Sequence, residues 1–206
     1  MKNIDFYFDF VSPFSYIAAH RLDRLPRPVV LKPVLFAGLL NHWGQKGPAE
    51  IPAKRRWTYR WCHWWAAELG VPFRFPAAHP FNPLHHLRLA LACGSRRDAV
   101  QRIFRSIWTS GGNANDPARF AALCRELGVD EARLQSDDVK SELRTNTEEA
   151  GARGVFGVPS FVADGEVFWG ADSVGFLSAF LADPGVLRNE EMRRLDALPV
   201  AAARKA

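Results

Sequence analysis

The stretch Asn3-Ile4-Asp5-Phe6-Tyr7-Phe8-Asp9-Phe10-Val11-Ser12-Pro13-Phe14-Ser15 decides the reading of this chain. Ile4, Phe6, Phe8 and Phe10 recur at every second position, the period of a short buried strand, read here over Asn3–Phe10. Ser12 then stands where a helix N-cap belongs. Pro13 takes the first helical position, where its missing N–H costs nothing and its fixed φ already suits a helix. From Phe14 to Leu25 the apolar residues fall at helical spacing. The junction therefore presents a hydroxyl at a helix N-terminus, where free N–H groups and a partial positive charge favour an anion such as a phosphate, carboxylate or thiolate. A Ser-Pro pair in this place is usually only a cap, so a functional reading needs a second feature.

That feature is Gly157-Val158-Pro159-Ser160-Phe161, which opens another strand-like run. The two motifs together look like a thioredoxin-type active site without its cysteines. In such a sheet the residue before a cis proline faces the helix terminus that carries the reactive group, and Val158-Pro159 has the context for it. Pro28–Val34 reads as a second strand and completes a βαβ unit. From Ile51 to about Ser136 the pattern turns helical, punctuated by Gly70-Val71-Pro72, Pro80 to Pro83, Gly94, Gly111-Gly112-Asn113 and Gly128. A helix over Val139–Arg153, a strand Ser160–Ala163, an Asp164-Gly165 hairpin turn, a strand Val167–Trp169 and a helix from Asp172 return to the first pattern. The expected fold is α/β, thioredoxin-like, interrupted by an all-helical insertion. Residues 1–44 and 137–184 form the thioredoxin-like part, 45–136 the insertion, and 185–206 a C-terminal extension, either a docking helix or a frayed tail.

Phe8-Asp9-Phe10-Val11-Ser12-Pro13-Phe14-Ser15-Tyr16, Pro52-Ala53-Lys54, Ala66 to Phe73, Asn146-Thr147-Glu148-Glu149-Ala150 and Gly154 to Phe161 resemble the 2-hydroxychromene-2-carboxylate isomerases, close kin of the kappa-class glutathione transferases. The resemblance runs from about Asn3 to about Leu181. It implies glutathione as cofactor and a reversible conversion of 2-hydroxychromene-2-carboxylate to trans-o-hydroxybenzylidenepyruvate, a step of naphthalene-type catabolism. It also implies a homodimer. Ser12 matches the residue that activates the glutathione thiol, and Lys54 the lysine that reaches a glutathione carboxylate. Val158, before Pro159, matches the backbone site for the cysteinyl part, and Asp172 the site for the γ-glutamyl amine. Gln45 falls where kappa-class relatives carry an asparagine. Ser173 stands where an arginine commonly follows the aspartate, and Trp61 where an aspartate is usual. Phe14, Trp57 and Asn82 are assigned to an aromatic substrate pocket. Taken alone, Lys54 reads as a solvated charge, Asp172 as a helix cap, and Trp57, Trp61, Trp64 and Trp65 as core or dimer packing.

The remaining composition narrows the classes. A chain of 206 residues with 48% hydrophobic content suits one enzyme-sized unit. No apolar run reaches the roughly 20 residues a membrane span needs, and no signal pattern opens the chain, so the cytoplasm is the expected compartment. The net charge of +5 is scattered and carries no nucleic-acid motif; it suits anionic ligands such as glutathione and a small aromatic carboxylate. Six histidines show no ligand spacing, so no metal is expected. Cys62, Cys93 and Cys124 contain no Cys-x-x-Cys and read as core residues. With serine at positions 12 and 15 the chain cannot form the mixed disulfide of thiol exchange, and a thiol must come from outside. Two alternatives stay open: a glutathione transferase that releases a conjugate, and a noncatalytic thiol- or peptide-binding module.

Overall fold

The computed structural model of the chain describes residues 2–202; Met1 and residues 203–206, the end of the expected extension, lie outside it. Four strands form one sheet in the order β2-β1-β3-β4. β1 (Ile4–Phe8) runs parallel to β2 (Val29–Pro33) and antiparallel to β3 (Ser160–Ala163), which pairs antiparallel with β4 (Glu166–Trp169). The β3–β4 connection is the expected Asp164-Gly165 turn, with φ of 51° and 95°. Two successive positive φ values give the tight turn whose twist matches the strands it joins, and Asp and Gly tolerate them.

Helices α1 (Pro13–Ala19) and α2 (Phe36–His42) flank β2 in sequence; α3 (Pro52–Glu68), α4 (Leu84–Ala92), α5 (Arg97–Trp108) and α6 (Pro117–Leu127) follow. α7 (Asp137–Ala152) leads back to β3, and α8 (Val174–Ala182) and α9 (Glu190–Asp196) close the described chain. The sheet is thus interrupted in sequence by helices, as the alternating and helical patterns indicate. The first helix is shorter than its apolar spacing suggests. It ends at Ala19, and a 3-10 turn over Leu22–Arg24 buries Leu22 and Leu25 without continuing the helix. α8 starts at Val174 rather than Asp172. α9 buries no side chain.

The two-residue period of β1 sorts its side chains onto two covered faces. Ile4, Phe6 and Phe8 join Phe161 and Ala163 in a cluster that continues into α1, α4, α5 and α8. Tyr7 and Val162 point the other way, against Val34, Leu39, Ala150 and Val155. Aromatic contacts carry the first cluster without a seam from the sheet into the helices: Phe104 of α5 lies 5.5 Å from Phe8 and 4.6 Å from Phe10, centroid to centroid. Each fully buried phenylalanine of this kind contributes about 1.5–3 kcal/mol relative to exposure.

One polar group sits deep in this cluster. His86 of α4 is caged by Phe10, Phe81 and Phe120, and its Nδ1 has no hydrogen-bond partner. Burial first, and the neighbouring His85 and Arg119 charges second, push its pKa from 6.5 down to about 4. Its neutral form suits the fold, so stability is intact above pH 6.5 and is lost as pH falls towards 4, where the unfolded chain gains a proton the folded one refuses. Replacing it with leucine removes this dependence. We expect thermal unfolding to show His86→Leu gaining on the wild type by about 3 kcal/mol between pH 7 and pH 4, the equivalent of the pKa displacement.

Candidate active site

β1 delivers the chain to a short loop, Asp9 to Ser12, and three kinds of contact fix that loop. Asp9 is fully buried, and its two carboxylate oxygens accept from Val11 N–H at 3.0 Å and Phe36 N–H at 2.9 Å. The Asp9 carbonyl accepts from Ser12 N–H at 3.1 Å. From α5, Trp108 Nε1–H donates to the Phe10 carbonyl at 3.0 Å, and from the loop between α3 and α4 the His79 ring meets the Val11 carbonyl at 2.7 Å. Tyr16 of α1 donates its hydroxyl to the Pro72 carbonyl at 2.6 Å.

Ser12 is the N-cap of α1, as its position before Pro13 implies. Its Oγ accepts from Ser15 N–H at 3.1 Å, and this uses a lone pair and leaves the hydroxyl proton to donate. That proton points at the Val158 carbonyl, 3.4 Å away, the outer limit of a hydrogen bond. The Val158-Pro159 bond is cis, so the two motifs that opened the reading meet in space. Pro159 is tied to the loop after β4 by a 2.9 Å bond from Gly170 N–H to its carbonyl. Phe14 and Val158 N–H have no protein acceptor among the described residues.

The other expected positions lie at varying remove. Asp172 follows Gly170 with its carboxylate exposed and without a hydrogen bond among the described residues; it does not cap α8. Ser173 donates its hydroxyl back to the Gly170 carbonyl at 2.7 Å. Phe14 is half-buried against Ile17, Cys62 and Ala66, beside Trp61 and Trp65. Lys54, in the first turn of α3, is exposed and forms no ion pair among the described residues. Gln45 is exposed after α2, its N–H closing a turn on the Leu40 carbonyl. Asn82 spends its Oδ1 on Leu84 N–H at the start of α4. No hydrogen bond or ring contact among the described residues joins Gln45, Lys54, Trp57 or Asn82 to Ser12.

The tryptophans of α3 form a surface ladder. Trp57 stacks on Trp61 at 5.5 Å, and Trp61 also meets Trp64 at 5.0 Å and Trp65 at 5.9 Å. At 61% and 51% exposure, Trp57 and Trp64 are not core residues of the single chain. The three cysteines are buried, and burial raises each thiol, that of Cys124 to about 11. None is a nucleophile poised near neutrality. Among the described residues no group of His, Cys, Asp or Glu could hold a metal, and no helix is long and apolar enough to cross a membrane. His79, Tyr59 and Trp108 were not singled out by the sequence. The sole local hint was the Pro80–Pro83 punctuation after His79.

A hydroxyl at a helix cap, opposite the residue before a cis proline, on this sheet defines a thioredoxin-class protein with serine in place of the redox cysteine. Residues 3–182 match the DSBA-like thioredoxin domain. The chain is 31% identical over 193 residues to a 2-hydroxychromene-2-carboxylate isomerase of Sphingobium xenophagum, covering 88% of this chain and 99% of that one. It is 30% identical over 209 residues to glutathione S-transferase kappa 2 of Caenorhabditis elegans, covering 89% and 93%. A solved 2-hydroxychromene-2-carboxylate isomerase superposes with a TM-score of 0.75 at 24% identity, over 96% of this chain and all of that one. This chain belongs to the 2-hydroxychromene-2-carboxylate isomerase family of DsbA-like thioredoxin domains.

The carboxylate beneath the site has a testable signature. Burial, only partly opposed by the backbone N–H groups it accepts from, raises Asp9 from 3.8 to about 7. Its stabilising contribution is therefore full at acid pH and is lost as pH rises through 7. Asp9→Ala removes the acceptor of two part-buried N–H groups, and a fully buried orphan would cost about 1–3 kcal/mol. Chemical denaturation should find the variant less stable by about 2 kcal/mol or more at about pH 5.5, with the gap narrowing at about pH 8.5.

Proposed function

We propose that this chain is a glutathione-dependent isomerase that interconverts 2-hydroxychromene-2-carboxylate and trans-o-hydroxybenzylidenepyruvate, with Ser12 stabilising the glutathione thiolate. The observation that carries the reading is the Ser12 hydroxyl, proton free to donate, facing Val158 before the cis Pro159.

The residues present suit the tripeptide. Val158 offers an N–H without an acceptor among the described residues and a carbonyl, and these could pair with a peptide backbone. Lys54 and Asp172 are exposed charges without ion pairs among the described residues, of the signs that a carboxylate and an α-amine require. When bound, glutathione supplies the sulfur nucleophile that the chain lacks, able to add to a conjugated enone and leave again unchanged. Ser12 would turn its hydroxyl from the long contact with Val158 to the sulfur, and Phe14 N–H would be available as a second donor. Both favour the charged form and lower a thiol pKa towards neutrality.

The substrate carboxylate has cationic surroundings at the start of α3. A concavity of about 480 Å³ is lined by Pro52, Ala53, Arg55, Arg56, Tyr59 and Arg60, and those arginines have no carboxylate partner among the described residues. The 30% identity to a kappa glutathione transferase favours a second reading, in which the conjugate is released. Consumption of glutathione separates the two.

The test is turnover of 2-hydroxychromene-2-carboxylate with and without glutathione, in wild type and Ser12→Ala. Isomerisation that needs glutathione yet does not consume it, and that falls about 10²-fold in the variant, is the expected result, the usual loss for one donor to a developing charge. Ser12→Ala also loses its cap on α1 and should be about 1 kcal/mol less stable. Equal rates without glutathione, or an unaffected Ser12→Ala, would overturn the reading.

A further inference from the structure

His79 lies outside every motif of the sequence, 67 residues along the chain from Ser12, yet it reaches the peptide on which Ser12 hangs. A carbonyl can only accept, so the 2.7 Å contact with Val11 fixes the proton of His79 on Nε2. Nδ1 is then an acceptor, and the Tyr59 hydroxyl lies 2.6 Å from it and 2.8 Å from the His79 carbonyl. The single Tyr59 hydroxyl proton can serve either acceptor, so one shared donor ties His79 to α3. The rings of Tyr59, Phe75, Phe81 and Trp108 surround the imidazole at 5.1 to 6.2 Å and leave it little room to swing. Burial lowers its pKa below the usual histidine value, opposed by the bond to Val11 and aided by the nearby Arg55 charge.

The consequence lies in the peptide unit joining Val11 to Ser12. Such a unit is planar, so its carbonyl and N–H move together. Here the carbonyl is held by His79 and the N–H by the Asp9 carbonyl, which stops the plane from rotating between its two Cα atoms. Ser12 Oγ depends on that plane for its direction. We propose that His79, backed by Tyr59, is a positioning residue for the candidate catalytic Ser12: by holding the Val11 carbonyl it aims the hydroxyl at the thiol site. The inference deepens the glutathione reading and rests on it for the identity of the ligand.

Three variants test it. His79→Phe keeps a ring and removes the donor; His79→Gln restores an amide N–H at the same reach; Tyr59→Phe removes the support at Nδ1. The readouts are the thiolate absorbance of bound glutathione against pH, the affinity for S-methylglutathione, whose sulfur cannot ionise, and hydrogen exchange of residues 11–15 in the unliganded protein. We expect His79→Phe to raise the apparent pKa of bound glutathione by about one unit, an approximately tenfold smaller ionisation constant. S-methylglutathione affinity should stay within about twofold, and exchange at residues 11–15 should quicken. His79→Gln should recover most of both effects, and Tyr59→Phe should show part of them. An unchanged thiol pKa and unchanged exchange in a folded His79→Phe would overturn the proposal. If His79→Phe does not fold, Tyr59→Phe decides: a shift supports the role and no shift overturns it. If wild-type protein shows no thiolate, the glutathione reading fails, and the exchange data alone judge whether His79 holds the Ser12 loop.

Discussion

Two consecutive carbonyls just after the first strand, those of Phe10 and Val11, are gripped by ring N–H groups from the helical segment that interrupts the sheet: Trp108 of α5 on one and His79, in the loop between α3 and α4, on the other. A carbonyl buried at such a place needs a donor, since leaving it unpaired costs about 1–3 kcal/mol. Strand pairing cannot provide one, because β1 has ended at Phe8 and the chain is turning into α1. The donors therefore come from the helical segment, and the same bonds that satisfy the backbone set the attitude of Ser12. Tyr16, with its hydroxyl on the Pro72 carbonyl, adds a third tie between α1 and that segment. The continuous aromatic cluster through Phe8, Phe10 and Phe104 makes the two parts inseparable in packing as well as in hydrogen bonding.

The chemistry left to such a site follows from what its atoms can and cannot do. A serine hydroxyl does not exchange electrons with a disulfide, and the cysteines the chain does carry are buried and raised in pKa. What remains is hydrogen-bond donation in a geometry fixed before any ligand arrives. A preorganised donor loses nothing in reorganisation when charge appears in front of it. The buried Asp9 below the loop works in the same sense, fastening Val11 to the start of α2 through two N–H groups.

Local signals were legible and long-range ones were not. The Ser12-Pro13 cap, the Asp164-Gly165 turn and the alternation of β1 are written in neighbouring residues, where sterics and capping act within four positions. The meeting of Ser12 with Val158 could be read because both motifs belong to a recognisable frame. The first helix stopped six residues short of its apolar pattern, since a 3-10 turn can bury Leu22 and Leu25 just as well. Of the core or dimer packing expected for the tryptophans of α3, the single chain excludes the core for Trp57 and Trp64. Helical spacing does put them side by side, but it does not say which flank faces the core, and Thr58, Cys62 and Ala66 occupy that flank instead. Trp108 carries no local mark, and His79 only the proline punctuation that follows it. Their role comes from two carbonyls tens of residues earlier, a pairing that only the folded chain brings about.

The charged start of α3 has a kinetic meaning. Lys54, Arg55, Arg56 and Arg60 stand on one helix without a carboxylate partner among the described residues, the first three near the positive end of its dipole. Such a field reaches beyond contact distance, to about 8–10 Å at ordinary ionic strength. It draws small anions towards α3 and away from the rest of the surface, so encounter is guided before any specific bond forms. Added salt shortens that reach, and capture of a doubly charged ligand then slows more than capture of a singly charged one of the same size.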